Sequence, residues 1–81
     1  MSSYCERIIA LIHEIRPYEE VMEDTELIKS GIVDSLSLVN LIVLLEEHFG
    51  IEINDEEVVA ENFSSIAAIE HLVIRVAIHN E

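Results

Sequence analysis

Cysteine and basic residues are scarce in this sequence, and both shortages narrow the classes of protein that it can belong to. The 81 residues include one cysteine, Cys5, so an internal disulfide bond cannot form. A secreted scaffold held by disulfides is therefore excluded, and a reducing cytoplasm is the expected compartment. Four Lys and Arg residues stand against 17 Asp and Glu residues, which gives a formal net charge of −13. Nucleic acids and anionic membranes require clustered basic residues, so we expect neither as a partner.

Long apolar runs are absent as well. The runs at residues 8–12 and 41–45 are far shorter than the roughly 20 residues that a membrane-spanning helix requires. The first run also lies too close to charged residues to be the core of a signal peptide. An apolar content of 51% excludes disorder by composition. We therefore expect residues 1–81 to form one small cytoplasmic domain, monomeric and not inserted in a membrane.

Patterns typical of β-strands are missing too, since the sequence shows no sustained alternation, no hairpin dipeptide and no internal repeat. The chain instead predicts an all-α fold, a four-helix bundle with a long acidic loop between helices 1 and 2 and a short third helix. Pro17 ends the first helix, and Ser64 or Ser65 caps the fourth. The predicted helices are residues 4–16, 35–49, 55–62 and a last helix that runs to about residue 79.

Apolar residues spaced three and four apart predict which side chains face the core of this bundle. Cys5 is expected to pack there as a small hydrophobe. Gly50 is a natural residue to end the second helix. The predicted core and anchor residues are Ile8, Leu11, Ile12 and Ile15; Leu27, Ile28 and Ile32 in the loop; Leu38, Leu41, Ile42, Leu45 and Phe49; Val58, Val59 and Phe63; and Ile66, Ile69, Leu72, Val73 and Val76.

A serine stands where the acidic loop meets the second helix. Asp34 has a short carboxylate that suits the N-cap, which makes Ser35 the first helical residue. The Ser35 hydroxyl would then lie at the positive end of the helix dipole, where a phosphate ester is stabilised. From these residues alone two interpretations stay open, an ordinary first-turn serine and a point of covalent attachment.

The second helix has more apolar residues than one core face requires. Leu36, Val39 and Val43 form a second line, the apolar stripe, which continues towards Glu46 and Glu47. A small apolar surface that ends in carboxylates, next to the candidate serine, predicts a docking surface for another protein. The alternative is that the stripe widens the core face or covers the third helix.

Three segments of the sequence are distinctive because of their positions in the predicted order of helices. They are residues 27–36, Leu-Ile-Lys-Ser-Gly-Ile-Val-Asp-Ser-Leu, residues 45–51, Leu-Glu-Glu-His-Phe-Gly-Ile, and residues 62–66, Asn-Phe-Ser-Ser-Ile. The triplet Asp34-Ser35-Leu36 has little specificity alone, but its position at the start of the second helix of a short acidic domain is distinctive. On these segments nearly the whole chain resembles acyl carrier proteins and the related peptidyl and D-alanyl carrier proteins.

The resemblance implies that Ser35 carries a 4′-phosphopantetheine arm through a phosphodiester, with Asp34 helping to place the serine and metal-bound coenzyme A. A phosphopantetheinyl transferase would attach the arm from coenzyme A, and the arm's thiol would hold an acyl or aminoacyl group as a thioester. Further implied partners are an adenylate-forming ligase or acyltransferase and downstream acyl-transfer or condensing enzymes. Their implied contacts are Leu36, Val39, Val43, Glu46 and Glu47.

Because the reactive thiol belongs to the arm, the resemblance implies a carrier without catalytic residues or a metal site of its own. The four histidines, His13, His48, His71 and His79, show no paired ligand spacing. The acidic runs at residues 19–24 and 55–57 lack the EF-hand arrangement and are expected to be solvated.

Two features differ from the usual carrier of fatty-acid synthesis. Ser37 and Asn40 stand where that group commonly has Asp and Glu, and Ser-Gly-Ile-Val precedes Asp34. Both resemble stand-alone carriers that work with adenylate-forming ligases, so we expect a discrete carrier in a secondary-metabolite or aminoacyl pathway of D-alanyl type. The alternatives are a housekeeping fatty-acid carrier and a carrier-like interaction module whose serine is never loaded.

Overall fold

Three α-helices form the framework of the computed structural model, which describes residues 3–79. They are α1 (Ser3–Ile15), α2 (Ser35–Phe49) and α3 (Ile66–His79), and no strand is present among the described residues. The predicted all-α class is therefore confirmed. None of the helices within residues 3–79 is long and apolar enough to cross a membrane.

The boundaries of α2 follow from its two caps, as the sequence predicts. Asp34 has an extended backbone and accepts the Ser37 N–H through its side chain, so the helix begins at Ser35. Gly50 adopts the left-handed conformation with φ of 65°, and its N–H donates to the Glu46 carbonyl. Only glycine enters that region at little steric cost, which is why the helix ends there.

The predicted short third helix is present as two 3₁₀ turns, Asp55–Glu57 and Ala60–Phe63, instead of one α-helical segment. Val59 between them is extended, and neither turn has a side-chain cap at its start. With no side-chain cap and two successive β-branched valines, Val58 and Val59, the segment has little to favour a continuous helix. Phe63 is buried as expected, whereas Val59 is exposed, so the prediction that Val59 anchors this segment is wrong.

The core lies where the three helices meet, and it matches the predicted apolar faces. Cys5 is buried there, as expected for a small hydrophobe. Ile15, Ile28, Leu38, Ile42, Phe49 and Val58 are partly buried against it. The predicted residues found buried are Ile8, Leu11, Ile12, Leu27, Ile32, Leu41, Leu45, Phe63, Ile66, Ile69, Leu72, Val73 and Val76. Val33, Ile51 and Ile53 are buried as well and were not among the predictions.

The long connection between α1 and α2 is fixed at its centre by Leu27. Its side chain is fully buried, its N–H donates to the Ser64 carbonyl at 2.8 Å, and its carbonyl accepts the Val33 N–H at 2.9 Å. The start of α3 is capped by Ser65, whose hydroxyl accepts the Ala68 N–H at 3.1 Å. These bonds place the residues before Ser35 against the body of the protein.

Candidate attachment site at the start of α2

Asp34 organises the first turn of α2. Its Oδ1 accepts the Ser37 backbone N–H at 2.9 Å, and its carbonyl accepts the Leu38 N–H at 2.8 Å. The Ser37 N–H, then the Ser37 hydroxyl and the charge of Arg16 hold the pKa of the Asp34 carboxyl below its ordinary value of 3.8. The predicted N-cap is therefore confirmed, and the carboxylate is ionised at neutral pH.

Ser35 is the first residue of α2 and is exposed. Among the described residues no side chain hydrogen-bonds to its hydroxyl. The backbone N–H groups of the first helical turn and the helix dipole both favour an anion at this end. The geometry suits a hydroxyl that is modified by another protein and then serves as a tether.

The apolar stripe is exposed along α2. Leu36, Val39 and Val43 have exposed fractions of 73%, 58% and 46%. The alternative that these residues widen the core face or cover the third helical segment is thus not what the structure shows. Three large apolar side chains in line beside Ser35 are typical of a surface that another protein covers.

The two carboxylates at the end of the stripe differ in their surroundings. Glu46 is partly buried, and its Oε2 accepts the Ile53 N–H at 2.9 Å. This bond joins the chain after Gly50 to α2, so Glu46 has a structural contact that the sequence did not predict. Glu47 is exposed.

Arg16 is a site residue that sequence reasoning missed. It follows α1, and its Nη2 lies 3.5 Å from the Gly31 carbonyl oxygen and 3.5 Å from Asp34 Oδ2. The scarcity of basic residues was the one signal that could have pointed to Arg16. It was not sufficient, because Arg16 and Asp34 are 18 positions apart and their contact depends on how α1 packs beside α2. Ser37, noted for its lack of charge, proves to be buried beneath Asp34.

Among the described residues, no histidine belongs to a cluster of possible metal ligands. Within the described residues, the only cluster of three possible metal ligands is Cys5, Glu23 and Glu70, whose ligand atoms lie within 4.8 Å of one another. It contains no histidine. His13 and His48 are exposed and hydrogen-bond to the Glu19 carbonyl and to Arg7 respectively. The side chain of His79 lies outside the described residues.

A small helical domain with an exposed serine at a helix start and an exposed apolar stripe beside it fits the class of attachment or carrier domains. Comparisons with known proteins identify the class more closely. The family model described as "Phosphopantetheine attachment site" matches residues 6–73. The chain belongs to this family. Its members carry covalently attached 4′-phosphopantetheine and act as carriers, not as enzymes.

Curated relatives agree with this assignment. The chain is 38% identical over 55 residues to an acyl carrier protein of Buchnera aphidicola, covering 68% of each chain. It is 41% identical over 51 residues to an acyl carrier protein of Wolinella succinogenes, covering 63% of this chain and 64% of the relative. No solved structure is significantly similar to the chain.

Proposed function

We propose that Ser35 is the attachment point of the 4′-phosphopantetheine arm and that the protein is a discrete carrier of acyl or aminoacyl groups. The observation that supports this most strongly is the position of Ser35, an exposed hydroxyl at the first residue of α2 beside the Asp34 cap. The family model spans this position, since it covers residues 6–73.

The surroundings of Ser35 fit a phosphodiester. The first turn of α2 presents N–H groups that the helix itself does not pair, and the Asp34 carboxylate accepts the Ser37 N–H through Oδ1. During attachment the Ser35 oxygen bonds to the pantetheine-bearing phosphorus of coenzyme A, its phosphoanhydride bond breaks, and 3′,5′-ADP leaves. The hydroxyl proton passes to the transferase, since no base within residues 3–79 hydrogen-bonds to the hydroxyl. Once bound, the arm supplies a thiol that holds the cargo as a thioester.

Asp34 has a second role in this proposal. Its carboxylate stays ionised at neutral pH and is exposed, so it can help to place metal-bound coenzyme A next to Ser35. The group is one residue from the hydroxyl and is held in place by the cap.

The docking surface for partner enzymes is proposed to be the apolar stripe, Leu36, Val39 and Val43, with Glu47 at its end. The Ile53 N–H donates to Glu46 Oε2, so Glu46 would contribute its other carboxylate oxygen, Oε1, to this surface. The proposed partners are a phosphopantetheinyl transferase, an adenylate-forming ligase or acyltransferase, and downstream acyl-transfer or condensing enzymes. They would meet this protein as a monomer in the cytoplasm, where coenzyme A is the source of the arm.

The pathway is proposed to be secondary-metabolite or aminoacyl synthesis. The support is the exposed surface of α2, which carries no charge from Ser35 through Val43 and presents Asn40 there instead. Docking should accordingly depend more on apolar contact than on charge pairs. The names of both relatives, acyl carrier proteins, favour a fatty-acid carrier as the second candidate.

Incubation with coenzyme A and a broad-specificity phosphopantetheinyl transferase tests the attachment point. We expect the intact mass to rise by one phosphopantetheine in the native protein and in Ser30→Ala, and to stay unchanged in Ser35→Ala. Ser30 is a suitable control because it is an exposed serine of the same segment. An adduct that persists in Ser35→Ala would exclude Ser35, and full biological activity of that variant would favour an unloaded interaction module.

The intact mass of the protein isolated from its native host distinguishes the two pathways. An aminoacyl or aryl group on the arm would agree with the proposed pathway. A growing saturated acyl chain would instead identify a fatty-acid carrier.

A further inference from the structure

Arg16 spans the segment that leads to Ser35. Its Nη2 lies 3.5 Å from the Gly31 carbonyl oxygen and 3.5 Å from Asp34 Oδ2. These two acceptors stand at the two ends of the short stretch just before Ser35. The Cα atom of Ser35 is about 3.8 Å from that of Asp34 along the chain. The guanidinium is therefore held at Asp34, the residue directly before the attachment point, by a side-chain contact and by a backbone contact with Gly31.

Most of this guanidinium remains open for another acceptor. Both contacts use Nη2, and within residues 3–79 Nε and Nη1 make no hydrogen bond. The planar fork of arginine donors matches two oxygens of a phosphate group. The contact with Asp34 is long and partly exposed, so little is lost when the side chain turns towards a stronger anion.

Two of the other three Lys and Arg residues, Arg7 and Arg75, are engaged away from this point. Arg7 stacks 4.7 Å from the Phe49 ring and donates to His48, at the far end of α2. Arg75 pairs with Glu57 at 2.7 Å. Lys29 is the remaining basic residue, in the segment before Gly31. A phosphodiester adds negative charge to a chain that already carries −13. A neighbouring cation therefore offsets repulsion that the rest of the chain would increase.

We propose that Arg16 is the counter-ion of the phosphodiester on Ser35. In the unmodified protein its guanidinium lies on Asp34 and Gly31; after attachment Nε and Nη1 pair with the phosphate oxygens. Arg16 is thus a positioning residue that fixes the base of the arm beside α2. This inference rests on the proposed attachment at Ser35.

The change in melting temperature on loading tests the pairing. It is measured as the loaded value minus the unmodified value at low ionic strength, for the native protein, Arg16→Gln, Arg16→Lys, Lys29→Gln and Arg75→Gln. We expect Arg16→Gln to lower this difference by about 2–4 °C, the size of one exposed charge pair in a domain this small. Arg16→Lys should keep part of it, since lysine retains the charge without the fork.

The two other variants are matched controls, because each also removes one positive charge. Lys29→Gln and Arg75→Gln should show the same change in melting temperature on loading as the native protein. About 0.5 M salt should abolish the effect of Arg16→Gln on that change. An equal change in melting temperature on loading in the native protein and in Arg16→Gln would overturn the proposal. So would a loss in Lys29→Gln alone, which would identify Lys29 as the counter-ion.

Nuclear magnetic resonance supplies a readout that a purely structural role would not change. We expect the ³¹P resonance of the loaded protein to shift in Arg16→Gln and not in Arg75→Gln, and the Arg16 Nε–H signal to move when the native protein is loaded. Signals that stay in place would contradict the pairing. Failure of the native protein to accept the arm would instead refute the attachment itself, so the two failures are distinct.

Discussion

At the scale of single residues, the carboxylate of Asp34 has the most defined electrostatic role at the site. Its pKa is lowered chiefly by the Ser37 backbone N–H, with further contributions from the Ser37 hydroxyl and Arg16. A group whose pKa is lower in the folded protein stabilises the fold at pH values above its ordinary pKa. That contribution is lost as the pH falls through the lowered folded value.

The pH dependence of stability in Asp34→Asn tests this effect. Asparagine keeps an oxygen for the Ser37 N–H but does not titrate, so the other carboxylates contribute equally to both proteins. We expect the native protein to melt higher than Asp34→Asn at pH values above 3.8, the ordinary pKa of Asp34, and the gap to close in stronger acid. A gap that is constant with pH, measured by thermal unfolding, would show that the pKa of Asp34 is not lowered on folding.

The residues of the site differ in how far the sequence could predict them. Asp34 and Ser35 depend on local preferences for helix caps, which act within one turn, and both were found where expected. The contacts of Arg16 with Asp34 and of Glu46 with Ile53 connect different parts of the structure. They depend on the packing of elements, for which the sequence carries no local signal.

At the scale of elements, α2 has two apolar faces, of which one is buried and the other is exposed. Leu41 and Leu45 are fully buried, whereas Leu36, Val39 and Val43 lie open to solvent. The exposed side chains of the stripe contribute little to the core, which agrees with the docking surface proposed for them. Periodicity alone could show that α2 has two apolar faces, but not which of them the other helices leave uncovered.

Leu36→Asp tests the docking role of the stripe. Placing a charge in an apolar contact should lower kcat/KM of the phosphopantetheinyl transferase for this protein by about tenfold or more. Ile78→Asp is the matched control, since Ile78 is a 64% exposed isoleucine on α3 and the substitution adds the same charge.

Both variants should retain the helical circular dichroism of the native protein, because neither side chain is in the core. Equal loss of activity in Leu36→Asp and Ile78→Asp would attribute the effect to net charge. No loss in either variant would remove the stripe from the transferase interface.

The segment between α2 and α3 shows where helical periodicity is a weak guide. Its apolar residues, Val58, Val59 and Phe63, suggest one short helix, but the structure has two 3₁₀ turns separated by an extended residue. Helix formation alone stabilises so short a segment very little. The burial of Phe63 in the core therefore has more influence on its backbone conformation than helix propensity has.

At the scale of the whole molecule, net charge opposes folding. A charge of −13 on 81 residues causes self-repulsion that the few ion pairs, such as Arg75 with Glu57, offset only in part. Many of the carboxylates, including Glu19 and Glu20, lie exposed, where added ions can screen them.

Raising the ionic strength should therefore raise the melting temperature. Between about 0.01 M and 0.15 M salt the Debye length falls from roughly 30 Å to 8 Å, which removes most of the repulsion between distant carboxylates. Magnesium ions should act in the same direction at lower concentration. The double variant Glu19→Gln with Glu20→Gln should respond less to salt. A melting temperature that is unchanged or lower in salt would contradict this explanation of stability.

The most direct test of the central claim is to locate the arm by mass spectrometry on the loaded protein. After transfer from coenzyme A and proteolysis, the peptide that contains residues 30–36 is fragmented and the modified residue is read from the fragment masses. We predict one phosphopantetheine on Ser35, with Ser30 and Ser37 unmodified. A loaded protein in which the arm lies on any other residue, or a folded protein that accepts no arm, would contradict the claim that Ser35 is the tether.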